Sequence, residues 1–551
     1  MQCYNYWVRQ KIPWIILIVG LALVLRIYNL GSNPASAYGD EQSFAWNAWS
    51  ILKTGADEYG TPWPLQFRAF DDYKAPIPVY LLVPFLVVGG LQTFVVRLPV
   101  ALFGTATVYL HYLLVKQFDL HKQRSNKIAL IGALLLAIAP WHVHLSRGYF
   151  ESTIAVFFFV AAVYFFVKAR EKHSNLVYSS LFFVLTLYTY FTPRMVVLLF
   201  IPWLLWWGRD WLMEAKQQLV YAGVLLIVLT LPLAKVSLFD KGLSRIDKLT
   251  TTRNEQIVRE VERDRNSAQS PQLVKNLLHN RPVYWVRAVT SDYIEQFSIN
   301  FLFLYGDSSL RYGIGNFGML YLITWPFFLI GFPVLFVYHR RIFWLLIGWM
   351  ALVPIPAALV GRPFAVRSLA LVPPLLIVTS FGITWVHDQL LITKKTWARA
   401  ALSIFSLLLL VNSGYYLLRY HLEYAAYAAT WWGWENKAAL DLAFSEEKNY
   451  DQIFLSNFYS GMDLAFAYYT AADPEKFREA KAKLVTLADN RQQIKLGKMY
   501  IGSLDLDEAR LKTGMLPART LYIGRPEEAE SSDVIRAPDD GRILFKIYRT
   551  R

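Results

Sequence analysis

The chain has a single cysteine, Cys3, in 551 residues, which excludes an internal disulfide. Charge is also scarce. Asp, Glu, Lys and Arg make up 18% of the residues against 55% hydrophobic and 16% aromatic, which excludes a string of ordinary soluble domains. No internal repeat is visible, which weighs against transporter folds built from duplicated halves. The amino terminus lacks a small-residue cleavage site after its apolar run. With Arg9 and Lys11 ahead of that run, it reads as an uncleaved signal anchor entering from the cytoplasm.

The chain does contain long apolar runs, including Ile12–Leu25, Ala129–Pro140, Ile154–Val167, Leu219–Leu233 and Leu402–Val411. Such runs cross lipid as helices, because a bilayer has no water to satisfy open backbone groups. The net charge of +15 is carried mostly by short basic segments between these runs. They are Lys116 with Lys122, Arg124 and Lys127; Lys168 with Arg170 and Lys172; Arg340 with Arg341; and Lys394 with Lys395 and Arg399. As cytoplasmic loops they account for the basicity without a nucleic-acid partner.

Spans are expected at 13–30, 93–117, 128–145, 151–169, 175–191, 195–208, 217–235, 317–338, 342–360, 366–386 and 398–417. The stretch 77–90 is too short to cross: about 14 helical residues rise only about 21 Å against a core of about 30 Å. Counting it as non-spanning puts every basic segment on the cytoplasmic side. The loops 31–92 and 236–316, the short segments 141–150, 192–194 and 361–367, and the tail then face the other side. The expected architecture is an all-α polytopic membrane domain over 1–418, with about eleven transmembrane helices and interfacial helices in its first outer loop. A small α/β soluble domain is expected over 419–551. Its strands are anticipated at 452–455, 498–501, 520–523 and 543–547, with a helix over 474–487. The charge run Arg253–Arg265 in the second long outer loop reads as a solvated helix.

Polar chemistry is concentrated on the outer side. In the first outer loop Ser43, Asn47, Ser50 and Thr54 repeat at helical spacing opposite Phe44, Ala45, Ala48, Trp49 and Leu52. That pattern is an amphipathic helix along the membrane surface, with Asp40 and Glu41 at its start. Asp40 suits an N-cap, a role compatible with chemistry because a cap also fixes the carboxylate. Asp71, Asp72, Tyr73 and Lys74 precede Pro76 and read either as a turn before a helix or as part of a cavity. His142 and His144, with Glu151 nearby, are the candidates for a metal, although i and i+2 fall on different faces of a helix. Arg147 and Glu151 have ion-pair spacing at the mouth of two membrane helices. Arg194, Arg311, Arg362 and Arg367 add cations on the same side, each readable alone as a snorkelling arginine. Together they suit a lipid-linked phosphate.

The chain resembles the GT-C membrane glycosyltransferases of the protein O-mannosyltransferase and aminoarabinose transferase type. The resemblance runs through Leu25-Arg26-Ile27-Tyr28, Asp40-Glu41, Thr54-Gly55-x-Asp57, Lys74-x-Pro76, Ser146-Arg147 with Glu151, Tyr188-x-Tyr190 with Arg194, Gly306-Asp307 with Arg311, Pro354-x-Pro356 and Arg367-Ser368. It implies inverting transfer of a sugar from a polyprenyl-phosphate donor to an acceptor hydroxyl on the non-cytoplasmic face of a bacterial inner membrane. Asp40 would be the base, with Glu41 beside it, and Lys74, Arg147, Arg362 and Arg367 would bind the donor phosphate. Asp71, Asp72, Tyr73, Glu151, Tyr190, Arg194, Asp307 and Arg311 would line the substrate cavity. The family's lysine motif often has two prolines directly after the lysine, whereas Ala75 intervenes here. No cofactor is required, and a divalent ion is compatible but not demanded. The competing readings are a transporter or flippase for lipid-linked saccharides and a ligase or polymerase using a diphosphate-linked donor.

Overall fold

The computed structural model describes residues 13–70, 72–118, 122–239, 244–392, 396–487, 490–507 and 516–550. Cys3, Arg9, Lys11, Asp71, Lys394 and Lys395 fall outside these residues. The first helix, α1 (Trp14–Ile27), enters a bundle and turns the apolar faces of Trp14, Ile16, Leu17 and Val24 outward. Beyond it come α2 (Gly39–Thr54), the antiparallel hairpin β1 (Phe67–Ala69) and β2 (Asp72–Lys74), and α3 (Pro76–Gly89). The membrane helices then follow as α4 (Thr93–Lys116), α5 (Lys122–Ile138), the short α6 (Pro140–Leu145), α7 (Glu151–Lys168), α8 (Asn175–Thr189), α9 (Thr192–Leu212) and α10 (Lys216–Phe239). Among the described residues seven helical segments are long and apolar enough to cross a membrane, and Trp14–Ile27, Pro76–Gly89, Asn175–Thr189 and Leu322–Tyr338 are shorter apolar helices.

The second outer loop supplies α11 (Ser244–Ser267), α12 (Gln272–Leu278) and α13 (Arg281–Glu295). Over its described side chains, 255–267, α11 is largely exposed, and Ile257 and Val261 are buried against Tyr284 of α13. The bundle closes with α14 (Trp325–Tyr338), α15 (Arg340–Leu352), α16 (Ile355–Val360), α17 (Val372–Ile392) and α18 (Thr396–Leu422).

Every expected span is helical, but several boundaries move. The span anticipated over 128–145 breaks at Ala139, whose extended backbone (φ −56°, ψ 122°) precedes Pro140. A residue before proline is pushed out of the helical region, and the proline cannot donate to the turn before it. Pro354 lies between α15 and α16, with Val353 before it still in helical backbone, and the segment over 317–338 becomes α-helical only at Trp325.

Helix ends show which loops share a face. Gln117 after α4, Arg170 after α7, Trp207 of α9 and His339–Ile342 between α14 and α15 meet around one cavity. Lys127 of α5 reaches Asp388 of α17 at 2.6 Å. The basic segments therefore gather at one end of the bundle. Asp40, Glu151 and the starts of α4 and α9 lie at the other.

After α18 come the short α19 (Tyr424–Tyr427), then α20 (Trp434–Glu446), α21 (Met462–Thr470) and α22 (Pro474–Ala482). They pack with a sheet of β3 (Gln452–Leu455), β4 (Val485–Thr486), β5 (Gln492–Leu496), β6 (Met499–Ile501), β7 (Thr520–Gly524), β8 (Val534–Arg536) and β9 (Ile543–Arg549), in the order β4-β5-β6-β3-β7-β9-β8. The central β3 is parallel to both β6 and β7, and the outer pairings are antiparallel. The four anticipated strands are thus present. The helix anticipated over 474–487 stops at Ala482, and its last residues form β4.

Candidate functional site

The first outer loop positions the site from its own sequence. Ala75 is extended before Pro76, which starts α3 and aims the end of β2 back toward α2. Lys74 Nζ therefore lies 2.8 Å from Asp40 Oδ1, with Lys74 5% exposed and Asp40 36% exposed. Asp40 is not the N-cap: α2 starts at Gly39 after Tyr38, and no side chain caps it. Asp40 instead occupies the first turn, where the helix dipole favours a carboxylate.

Next to it, α2 differs from the amphipathic surface helix the pattern predicts. It lies at the expected end of the bundle, but both faces are covered. Phe44, Ala45, Ala48 and Ile51 pack with Val79, Leu82 and Leu86 of α3, while Trp46 packs on Leu464 of α21 and Phe477 of α22. The polar stripe serves the loop that follows. Asn47 bonds the Glu58 carboxyl at 3.2 Å and its backbone N–H at 3.1 Å, and Ser50 donates to the Asp57 carbonyl at 3.1 Å. Asp57 in turn accepts from the N–H groups of Tyr59 and Thr61. Burial pushes the Glu58 carboxyl up to about 7, against the opposing Asn47 hydrogen bond.

Glu41 has a different position from its neighbour. It is fully buried and takes two hydrogen bonds from Arg97 of α4, at 2.7 and 3.1 Å. Arg97 also donates to the carbonyls of Leu30, Pro34 and Ser36. The Tyr149 N–H donates to the same carboxylate at 3.3 Å. Glu41 is thus the charged centre of a clamp that shapes the loop between α1 and α2. It has no open approach for a substrate hydroxyl.

Arg147 is corrected in the same way. All five of its N–H groups are used, on the carbonyls of Leu25, Arg26, Tyr28 and Asn33 and on the Tyr420 hydroxyl. It is fully buried and caps the open carbonyl end of α1. No donor is left for a phosphate. His142 and His144 do not converge either: His142 Nδ1 faces Arg26 Nη2 at 2.7 Å, and His144 Nε2 faces the Arg311 carbonyl at 3.0 Å. Among the described residues no group of three or more His, Cys, Asp or Glu has metal-binding geometry.

The remaining cations serve mostly as loop fasteners. Arg194 Nε donates to the Leu187 carbonyl, and Arg367 donates to the carbonyls of Gly361 and Pro363. Arg362 lies 3.3 Å from Glu295. Buried Asp307 accepts from the N–H groups of Phe364, Ala365 and Ser309, so it fixes the Arg362–Arg367 loop. Tyr190 and Glu151 are buried at the same end of the bundle as Asp40. Asp72 sits in β2 opposite Ala69, and Tyr73 opposite Arg68.

A cavity of about 360 Å³ opens beside Asp40. From the bundle side it is lined by Tyr38, Asp40, Phe70 and Arg311, and from the other side by Glu435, Asn436 and Tyr459 of the C-terminal α/β region. Arg311 stacks its guanidinium 4.8 Å over the Tyr38 ring and donates to the Trp431 carbonyl. Burial, with Asp40 and Glu151 nearby, holds the Tyr38 phenol well above its ordinary range, so it stays neutral. The arrangement combines one accessible carboxylate, a lysine in contact with it and a polar cavity at the end of a lipid-embedded bundle. It can accept a proton from a hydroxyl and balance negative charge beside it.

Residues 73–233 match the family model of the dolichyl-phosphate-mannose-protein mannosyltransferases. No curated protein sequence matches the chain. Among solved structures, ArnT from Cupriavidus metallidurans bound to undecaprenyl phosphate is similar at a TM-score of 0.51 and 13% identity, over 97% of this chain and 98% of that one. The same protein in its apo state gives a TM-score of 0.49 at 13% identity, over 93% of each chain. The apo oligosaccharyltransferase of Archaeoglobus fulgidus gives 0.47 at 12% identity, over 83% of this chain and 63% of that one. The chain has the GT-C glycosyltransferase fold.

Within this GT-C fold the matched segment carries Lys74, Arg97, Arg147 and Glu151 but not Asp40. Arg97 escaped the sequence reading. The one available signal was an arginine at the start of an apolar helix, where charge is costly unless partnered. Glu435 and Asn436 escaped it too, because nothing in the spacing brings the tail to the first outer loop.

Proposed function

We propose that the chain is an inverting, polyprenyl-phosphate-dependent glycosyltransferase whose site faces the non-cytoplasmic side of a bacterial inner membrane. Its membrane part is residues 1–418, and residues 419–551 form an outer domain over the site. The observation that carries the reading is the Asp40–Lys74 pair at 2.8 Å, whose Asp40 lines a polar cavity at the end of the bundle away from the basic loops. The positive-inside rule assigns those loops to the cytoplasm. Fold likeness to ArnT solved with undecaprenyl phosphate supports a polyprenyl-phosphate partner, and the mannosyltransferase family match supports sugar transfer.

In this reading Asp40 takes the proton of the acceptor hydroxyl as its oxygen attacks the anomeric carbon. The bond from that carbon to the lipid phosphate breaks on the opposite face, which inverts the centre. The leaving phosphate carries its own electron pair and needs a cation, which Lys74 supplies from beside Asp40. Before donor arrives, the same lysine keeps the Asp40 carboxylate oriented. No nucleotide enters, because the lipid phosphate is the leaving group.

The test uses purified protein in nanodiscs with undecaprenyl-monophosphate-linked and undecaprenyl-diphosphate-linked sugars. Only the monophosphate donor is expected to be consumed. Asp40→Asn keeps the volume and is expected to lower turnover by about 10²–10⁴-fold with the fold intact. Lys74→Met is expected to raise the donor KM. Full transfer by the Asp40→Asn protein sinks the assignment of the base, and consumption of the diphosphate donor sinks the donor class.

A further inference from the structure

Two buried hydrogen-bond acceptors on residues that line the cavity beside Asp40 have no donor among the described residues. Glu435 Oε2 and Asn436 Oδ1 are both inaccessible and both without a hydrogen-bond partner among the described residues. Their side chains are only 9% and 6% exposed, and both line the cavity. Buried polar atoms are almost always satisfied, so two neighbouring acceptors left unpaired among the described residues fit hydroxyl donors from a ligand. The Asn436 amide donates to the Ser460 carbonyl at 3.4 Å, which keeps Oδ1 turned from that partner, and both residues are in the first turn of α20, after Gly433 in left-handed backbone.

The third wall is aromatic. Phe70 is 46% exposed and adopts φ 57°, a conformation costly for a bulky residue. That backbone sets its ring against Gly39 and Gly461, where an added Cβ would lie 3.4 and 3.9 Å from it. Tyr459 lines the same cavity. Neighbouring acceptors, a guanidinium and flat apolar faces are what a pyranose ring requires, since its hydroxyls donate at the edge while its C–H face stacks.

Resting on the glycosyltransferase reading above, we propose that this cavity is the acceptor subsite, and that Glu435 and Asn436 bind hydroxyl groups of a saccharide acceptor and present one of them to Asp40. The acceptor class is thereby a glycan, free or lipid-linked, and not a polypeptide. Burial raises the Glu435 carboxyl to about 7 despite Arg542 and Arg311 nearby. Near neutrality it can therefore both accept from and donate to a hydroxyl, with Tyr459, Arg311 and Asp40 as further ionisable groups lining the cavity.

The full-length protein in nanodiscs is given a radiolabelled undecaprenyl-phosphate-linked sugar. One arm adds the glycolipid fraction of the host membrane, a second adds the glycans released from that fraction, and a third adds a Ser/Thr-rich peptide. Label is expected on glycan in the first or both of the first two arms, which separates lipid-linked from free acceptor, and none on peptide. Glu435→Gln and Asn436→Ala are each expected to raise the KM for glycan about tenfold, the loss of one hydrogen bond in a closed site, while the donor KM moves by less than twofold. Labelled peptide, or an acceptor KM unmoved in both variants, overturns the subsite. Failure of the wild type to consume any monophosphate donor overturns the transferase reading itself, so the two failures are distinct.

Discussion

Replacing Glu41 with Gln removes one charge from a carboxylate that receives two Arg97 hydrogen bonds of 2.7 and 3.1 Å, with both side chains fully buried. Arg97 would keep its three carbonyl partners at Leu30, Pro34 and Ser36 but lose its counter-charge. One of its two former acceptor positions would also become an amide N–H facing a guanidinium N–H. Breaking a buried pair from one side costs about 3–5 kcal/mol, since the remaining charge stays in low dielectric. At 1.4 kcal/mol per factor of ten, the folded fraction relative to unfolded falls by about 10² to 4 × 10³. The assay is the rate of irreversible thermal inactivation in detergent, read beside turnover of the still-folded protein, because large membrane proteins are best compared kinetically. Glu41→Gln should inactivate much faster than wild type but turn over at a comparable rate while folded, the reverse of Asp40→Asn. A cycle with Arg97→Met should give a coupling of about 1–3 kcal/mol. Wild-type inactivation kinetics with turnover as low as in Asp40→Asn would refute the clamp and make Glu41 a catalytic group.

Arg147→Lys should destabilise the fold, because an ammonium cannot replace five planar donors, four on the carbonyls of Leu25, Arg26, Tyr28 and Asn33 and one on the Tyr420 hydroxyl, while the donor KM stays near wild type; a specific rise in donor KM would return Arg147 to the phosphate site. The raised Glu58 carboxyl makes folding favour its protonated form, so its contribution is complete below about pH 4.5 and is lost as pH rises through about 7. Glu58→Gln should flatten that part of the stability profile, and an unchanged profile in the variant would refute it. On topology, cysteines placed at Lys122, Lys172 and Lys395 in a Cys3→Ser background should react only with reagents that reach the cytoplasm, while those at Asp40 and Arg362 react from outside. Labelling of a residue-500 cysteine from the cytoplasmic side alone would invert the assignment.

The membrane character, the helical segments and the gathering of basic loops at one end were legible in the sequence because hydrocarbon enforces them locally: about twenty apolar residues or a charged loop leave few alternatives. The β3, β6, β7 and β9 strands were legible for a similar reason, as short apolar runs between polar turns. What each charged residue does was decided only by the tertiary structure. Asp40 and Glu41 are adjacent and chemically alike, yet successive helix positions point about 100° apart. One carboxylate therefore meets Lys74 and the cavity while the other meets Arg97 in the core. Arg147 looks like a phosphate ligand in sequence, but in the fold the carbonyls at and beyond the end of α1, with the Tyr420 hydroxyl, use all its donors. The helical polar stripe of α2 was read correctly as a stripe, but its partners are loop 55–61 and not water. Glu435 and Asn436 lie nearly 400 positions from Asp40 along the chain. Their place opposite it follows from the way the C-terminal region packs over α2 through Trp46, Leu464 and Phe477, a long-range contact that local spacing does not encode.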